Sequence, residues 1–444
     1  MKARIRKLAS DLGDTFWLVP ALMVLGGIVA GLGFVAIDHS DVLPAWLVQG
    51  PWLYNGGATG ARTLLGAIAS STIGVAGTVF AITIAALSLA AGQMGPRLLR
   101  NFTRDRGNQF TLGVFLGTFS YALMVLRSVR TEGEGAFVPH LSLSVGILLA
   151  ILSVATLVYF VGHMAGRINV DTVIDLVSDD VRAAISRLTS DAKHPQAPPA
   201  SFWSDAVPII DKRRGYLQQF DDEGLADWAA KHKRSIRLLV RPGDYVFPGA
   251  PIAAATPEAE GVSEAIRDAT ALGAARVGSA DLEFAIAQLV EVAVRALSPG
   301  INDPNTAISV INRLGEALCD IVPLHLPTGV YEREGTPALV VRGIDYDGLT
   351  DTMFHMIRQN ARGKPAVLIR LLDVLTRVLS CERDPERMET LQRHADLVIG
   401  DAERDIRTPA DLADIQRRYE RFLGMREIGP EGEAKMLFVG PTSG

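Results

Sequence analysis

Oxygen-bearing side chains gather at two places in this 444-residue chain. The first is Ser298-Pro-Gly-Ile-Asn-Asp-Pro304, continued by Asn305 and Thr306. Asn302, Asp303, Asn305 and Thr306 could present amide, carboxylate and hydroxyl groups to an ion. With the free amides of a helix start they could also hold an anionic ligand. The same residues suit a plain helix–turn–helix corner. Asp303 is a good N-cap, Pro304 fits the first helical position, and Gly300 can take a positive φ. The second place is the uncharged run from Thr63 to Pro96, 34 residues long. There Ser70, Ser71, Thr72, Thr78, Thr83 and Ser88 could offer hydroxyls to a conduction path, with Gly74 and Ala81 as small neighbours. Helical Ser and Thr can equally bond their own carbonyls or a neighbouring helix, which needs no channel.

Other chemistry is absent from the pattern. There is no P-loop, no GxSxG and no HExxH. The eight histidines are isolated from one another in sequence. His194, His232, His325, His355 and His394 could converge in space, but none has metal-ligand spacing. Cys319 and Cys381 are the two cysteines, with no CxxC; they suit a reducing compartment and give no disulfide framework. The glycine-rich stretch at 26–33 lies in an apolar run, without the strand–turn–helix context of a dinucleotide site. The expectation is therefore no catalytic residue, no metal, no cofactor and no enzyme.

The elements that carry these residues divide into two parts. Apolar residues make up 48% of the chain. Four apolar runs, Phe16–Ile37, Thr63–Gly92, Phe110–Leu126 and Leu141–Ala165, are long enough to cross a bilayer, the third only just. The first follows a basic start but is longer than a signal core, and reads as a retained signal-anchor. The expected domain of spans covers residues 1–168. Basic residues settle its expected orientation. Lys2, Arg4, Arg6 and Lys7 precede the first span; Arg97, Arg100, Arg104 and Arg106 lie between the second and third. The other two loops hold only Arg62, Arg127 and Arg130, so both termini are expected in the cytoplasm of a bacterial inner membrane. Arg97, Arg100 and Arg104 fall on one helical face at the membrane surface, as an anchor on anionic headgroups or a ring attracting anions. Trp46 and Trp52 read as interface anchors. His163, near the inner end of the fourth span, reads as an interfacial polar residue, with a pH-sensing role as the alternative.

Small residues recur in these spans. Gly27 and Gly31, Gly113 and Gly117, and Gly162 and Gly166 are GxxxG pairs. Ala67, Gly74, Ala81, Ser88 and Gly95 recur every seven residues, with Ser70, Gly77 and Ala91 on the same side. Such stripes let helix backbones approach closely and point to a tight bundle and a homo-oligomer. No Asp or Glu lies inside the expected spans, so none holds a carboxylate for a proton relay.

Charge separates the two parts. Residues 1–170 carry +5 and the whole chain −5, leaving −10 on residues 171–444. An acidic extramembrane part argues against a nucleic-acid partner. Residues 169–210 read as an amphipathic helix and a proline-rich linker. Residues 211–256 read as a small β module with strands at Tyr216–Phe220, Ile236–Val240, Tyr245–Phe247 and Ile252–Ala255. The stretch RLLVRPGDYVFPGAPIAAA resembles half of a lipoyl- or biotinyl-type β-sandwich, but no lysine occupies the tip where such carriers are modified. Residues 257–425 read as mainly helical, with helices over 281–297 and to about Ile321, a hairpin at 329–342 and three or four helices from Tyr346 to Leu423. Arg358, Arg362, Arg377, Arg387 and Arg421 read as solvated faces. Residues 426–444 read as a flexible tail.

The segments LVEVAVRALSPGINDPNTAISVINRLGEAL and GQMGPRLLRNFTRDRGNQFTLGVFLGTFSYAL resemble the two hallmarks of a bacterial family of predicted membrane proteins, a domain of unknown function. The resemblance implies four spans and a large cytosolic C-terminal region, and no established reaction, substrate or cofactor. The expected fold is a four-span α-helical membrane bundle with a cytosolic α+β region. The expected function is an oligomeric ion or small-solute channel, its bilayer-embedded second span lining the path. The alternative is a membrane-anchored sensor or scaffold.

Overall fold

The computed structural model describes residues 16–40, 54, 56–95, 105–130, 137–167, 169–192, 194–257, 260–276 and 282–439. Arg97, Arg100 and Arg104, and the tryptophans at 46 and 52, lie outside the described residues. The chain forms two compact units, one holding the four apolar helices and the other residues 170–444.

Among the described residues, four helices are long and apolar enough to cross a membrane. They are α1 (Leu18–His39), α2 (Ala58–Met94), α3 (Arg106–Ser128) and α4 (His140–Arg167). At 1.5 Å per residue the 37 residues of α2 span about 55 Å, well beyond a hydrocarbon core of about 30 Å. The third span, expected to be short, is a 23-residue helix. Its start is fixed by Asp105, whose carboxylate accepts the Gly107 N–H at 3.1 Å.

Two of the GxxxG pairs meet each other. A Cβ on Gly27 would collide with the Gly117 carbonyl, and one on Gly31 would stand 2.8 Å from Met124 Cβ. On the facing helix, Gly113 lies under the Met23 sulfur, and a Cβ on Gly117 would come 3.0 Å from the Met23 carbonyl. So α1 and α3 approach backbone to backbone, the geometry small residues permit and larger ones forbid. Helix α2 joins the bundle differently, through side chains. Ala61, Leu65, Ile68 and Ala69 pack with Tyr121, Ala122, Val125 and Leu143. Further along, Ala76, Val79 and Ala86 pack with Leu112, Phe115, Phe160 and Met164.

In the second unit, α5 (Val170–Leu188) precedes a mixed α+β region. A five-stranded sheet has the order β1-β5-β3-β8-β7, with β1 at Val207–Ile210, β3 at Ser235–Leu238, β5 at Pro251–Thr256, β7 at Val330–Arg333 and β8 at Thr336–Val341. All its pairings are antiparallel except β3 with β8. A three-stranded antiparallel sheet has the order β4-β2-β6: Tyr245–Val246, Gly215–Phe220 and Thr270–Gly273. Strand pairing thus crosses the segment boundaries read from sequence. β1 comes from the proline-rich linker, and the β7–β8 hairpin comes from the helical segment. Burial explains the recruitment: β3 alternates and β8 is buried from Ala338 to Val341, and Ile236, Leu238, Leu339 and Val341 share one core. Helices α6 (Asp222–Lys231) and α7 (Val262–Ala269) cover that core with Leu225, Ala229, Val262 and Ile266.

The rest is helical: α8 (Leu282–Ala296), α9 (Pro304–Ile321), α10 (Tyr346–Asn360), α11 (Pro365–Cys381), α12 (Pro385–Asp405) and α13 (Pro409–Val439). Asp303, Asp345 and Asp384 cap α9, α10 and α12, and proline opens α9, α11 and α12. Within the segment read as a tail, the described residues are helical to Val439. Its one break is at Gly429, where φ of 71° and ψ of −171° suit only glycine.

Candidate functional site

Helix α2 has two opposite faces. The buried one carries Leu65, Ile68, Ala69, Thr72, Ala76, Val79 and Ala86. Ser70, Ser71, Gly74, Thr78, Ala81 and Ser88 are all exposed on the other side. No atom lies within 4 Å of where a Cβ would stand on Gly66, Gly74, Gly77 or Gly92. The hydroxyls are locally engaged. Ser70 donates to the Gly66 carbonyl, Ser71 to Ile68 at 3.1 Å, Thr78 to Gly74 at 3.1 Å and Thr83 to Val79 at 2.8 Å. A hydroxyl donating to its own helix still has lone pairs to offer outward. Thr72 is buried against the bundle and leaves the outward set.

Polar groups fasten the spans, and of these only His163 was singled out in sequence. Asp38 lies in the last turn of α1, a correction to the expectation of spans free of carboxylates. It accepts the Leu141 N–H at 3.1 Å, the Ser142 N–H at 2.9 Å and the Ser142 hydroxyl at 2.6 Å. It therefore caps α4 from another helix, where the dipole favours an anion. At the opposite ends, Asp105 Oδ2 lies 2.6 Å from His163 Nε2, and Tyr159 stacks on the imidazole. His163 is thus an interhelical partner of Asp105. Between these layers Thr118 and Ser153 hydroxyls meet at 3.3 Å, and in the Asp38 layer Tyr121 donates to the Ser142 carbonyl at 2.8 Å.

In the second unit, the Ser298–Pro304 segment folds as a corner whose groups are engaged. Asp303 accepts the Asn305 N–H at 3.0 Å, the Thr306 N–H at 3.2 Å and the Thr306 hydroxyl at 2.6 Å. The Thr306 hydroxyl, more than the two amides, holds the Asp303 carboxyl below the usual range. Asn302 sits at φ 51° and accepts from Lys364 Nζ at 2.9 Å, while Lys364 also donates to the Leu297 carbonyl at 2.6 Å. Asn305 is exposed at the rim.

Two of the five arginines read as solvated are structural. Arg358 is buried and pairs with Asp401, joining α10 to α12. Arg387 donates to the carbonyls of Ile321, Val322 and Leu324 at 3.4, 3.3 and 3.0 Å, closing the C-terminus of α9, and lies over the Tyr346 ring. Spacing alone hid this, because each partner is distant in sequence. Cys319 and Cys381 are free thiols, and burial pushes the Cys319 thiol up to about 11.

Histidines do converge at one place. Asp351 and His355, four residues apart on α10, face His394 of α12. One ligand-capable atom from each lies within 4.8 Å of the other two. His355 Nε2 is 2.9 Å and His394 Nε2 3.2 Å from Asp351 Oδ1. His394 is 1% exposed, and neither of its ring nitrogens makes a hydrogen bond. Burial, then Arg393 and His355, push its imidazole down to about 4, so it is neutral near pH 7. The sequence held one signal for this site: a histidine on the apolar face of α12, between Leu391 and Val398.

A bundle of four spans fastened by interhelical caps, followed by a mixed α+β unit, defines an integral membrane protein with a large extramembrane part. The chain belongs to the family of predicted membrane proteins designated DUF2254, whose model matches residues 13–377. Uncharacterized proteins of Mycobacterium tuberculosis and Mycobacterium bovis are similar to it, each 30% identical over 435 residues, which is 94% of this chain and 81% of the relative. No solved structure matches it.

Proposed function

We propose that the protein is an oligomeric channel for ions or small solutes in a bacterial inner membrane, with both termini cytoplasmic. The outward face of α2 lines the path, and the acidic extramembrane unit gates or caps it. One observation carries the reading. Helices α1 and α4 turn large apolar residues outward: Leu22, Leu25, Val29 and Leu32 on α1, and Leu148, Ile151, Val154, Val158 and Val161 on α4. Such side chains suit lipid. Helix α2 also exposes Ile73, Phe80, Ile82, Ile84 and Leu89, but between them it turns Ser70, Gly74, Gly77, Thr78, Ala81 and Ser88 outward. Small and hydroxyl-bearing residues suit a close helix neighbour or water rather than acyl chains. The basic residues before α1 and between α2 and α3 support the orientation. Within this reading the protein catalyses no reaction.

The test is flux through purified protein in liposomes, with Gly74→Trp as the blocking variant. Ion or solute flux that the variant abolishes supports the channel. A wild-type protein that passes nothing across a panel of ions, both voltage signs and both pH extremes contradicts it.

The second reading, a membrane-anchored sensor, is favoured by the Asp351, His355 and His394 cluster. It expects ligand binding by the extramembrane unit to persist when α2 is altered.

A further inference from the structure

We propose that Asp351, His355 and His394 form a binding site for a borderline divalent metal ion of the zinc class, clamping α10 to α12. The donor set is two imidazoles and one carboxylate, the mixture that zinc and its neighbours in the transition series prefer over calcium or magnesium. The spacing fits. Metal–nitrogen and metal–oxygen bonds near 2.1 Å set adjacent ligands of a tetrahedral shell about 3.4 Å apart. The histidine nitrogens stand 2.9 and 3.2 Å from Asp351 Oδ1.

The independent observation is His394. Its side chain is 1% exposed; Nε2 stands 3.2 Å from Asp351 Oδ1 without hydrogen-bond geometry, and Nδ1 has no hydrogen-bond partner. A buried imidazole nitrogen that faces a carboxylate without making a good hydrogen bond is poorly satisfied, and a bound cation would satisfy it. His355 Nδ1 is likewise buried without a partner. Phe354 packs edge-on to His394 and holds the ring in place. The second histidine and the aspartate are one-third exposed, which leaves an entry path and an open coordination position for solvent.

Arg393 is the resident competitor. Its Nη2 donates at 2.6 Å to Asp351 and at 2.6 Å to Asp347. Asp347 and Thr390 also line a cleft of about 390 Å³ with Asp345, Asp384 and Glu386. Arg387 lines the same cleft, so four carboxylates face one guanidinium there, and Arg393 can remain on Asp347 when Asp351 turns to the metal.

The site lies in the extramembrane unit, so it stands whether or not α2 conducts. The experiment is titration of the full-length, chelator-stripped protein in detergent with zinc chloride by calorimetry. The expected result is one saturable site per chain, with affinity falling at least tenfold in Asp351→Asn and His355→Ala. His394→Phe is expected to abolish binding; the partly exposed His355 keeps the test valid if that variant misfolds. A thermal midpoint that rises with zinc in wild type and not in His355→Ala supports the clamp. No saturable binding in wild type, or binding unchanged in His355→Ala and Asp351→Asn, would overturn the proposal.

Discussion

The seam between α1 and α3 and the outward face of α2 use the same small residues to opposite ends. At the seam every glycine is spent within the protomer: Gly27 on the Gly117 carbonyl, Gly31 on Met124, Gly113 on Met23. On α2, Gly74 and Gly77 meet nothing. The outward face of α4 provides the reference, being built from Leu148, Ile151, Val154 and Val158. A small-residue stripe is therefore not one feature but two. Which it is depends on whether a neighbour's backbone already fills it, and periodicity alone carries no such information.

The comparison breaks most readily at Gly74. Gly74→Trp is expected to leave the protomer folded and to abolish assembly and flux, read by detergent-phase light scattering and liposome release. Next comes the seam. Gly27→Leu forces side-chain atoms into the Gly117 carbonyl, and overpacking of this kind costs about 1–3 kcal/mol. It should lower the thermal midpoint in detergent, whereas Gly74→Leu should not. If both variants lose equal stability, the two faces do not differ as described.

A change outside the spans separates general destabilisation from either face. Asp303→Ala removes the cap of α9, an effect of about 1 kcal/mol. It also removes a pH dependence. The Asp303 carboxyl titrates below its ordinary value of 3.8 in the folded protein. Its contribution to stability is present above that value and is lost as pH falls through the folded pKa. The wild-type stability curve should steepen below about pH 4, and the variant's should be flatter there, by acid titration of the circular dichroism signal. The smallest effect belongs to the reference face. Ile151→Ala on α4 should change stability, assembly and flux little, within about 0.5 kcal/mol of wild type.

Much of the architecture was legible because it rests on local signals. Uncharged apolar runs located the four spans, and the turn chemistry of Arg241-Pro-Gly-Asp244 and Pro248-Gly-Ala-Pro251 separated β3, β4 and β5. The Asp303 cap and Pro304 start of α9 were readable from two adjacent residues. Non-local pairing was not readable. Nothing near Ile236 announces that Leu339 lies beside it in parallel. Nothing near Arg358 announces Asp401, nor does Asp351 announce His394. Asp38 was missed because it sits one residue beyond the expected end of the first span, where one turn of helix decides whether a carboxylate is loop or cap.

Thiol crosslinking of α2 between protomers tests the central claim most directly. In a background with Cys319 and Cys381 replaced by serine, Gly74→Cys in native membranes should give a crosslinked oligomer with a short bifunctional reagent, while Ile151→Cys should remain monomeric. Equal crosslinking at both positions, or none at Gly74, would contradict an α2 face that meets its own copies.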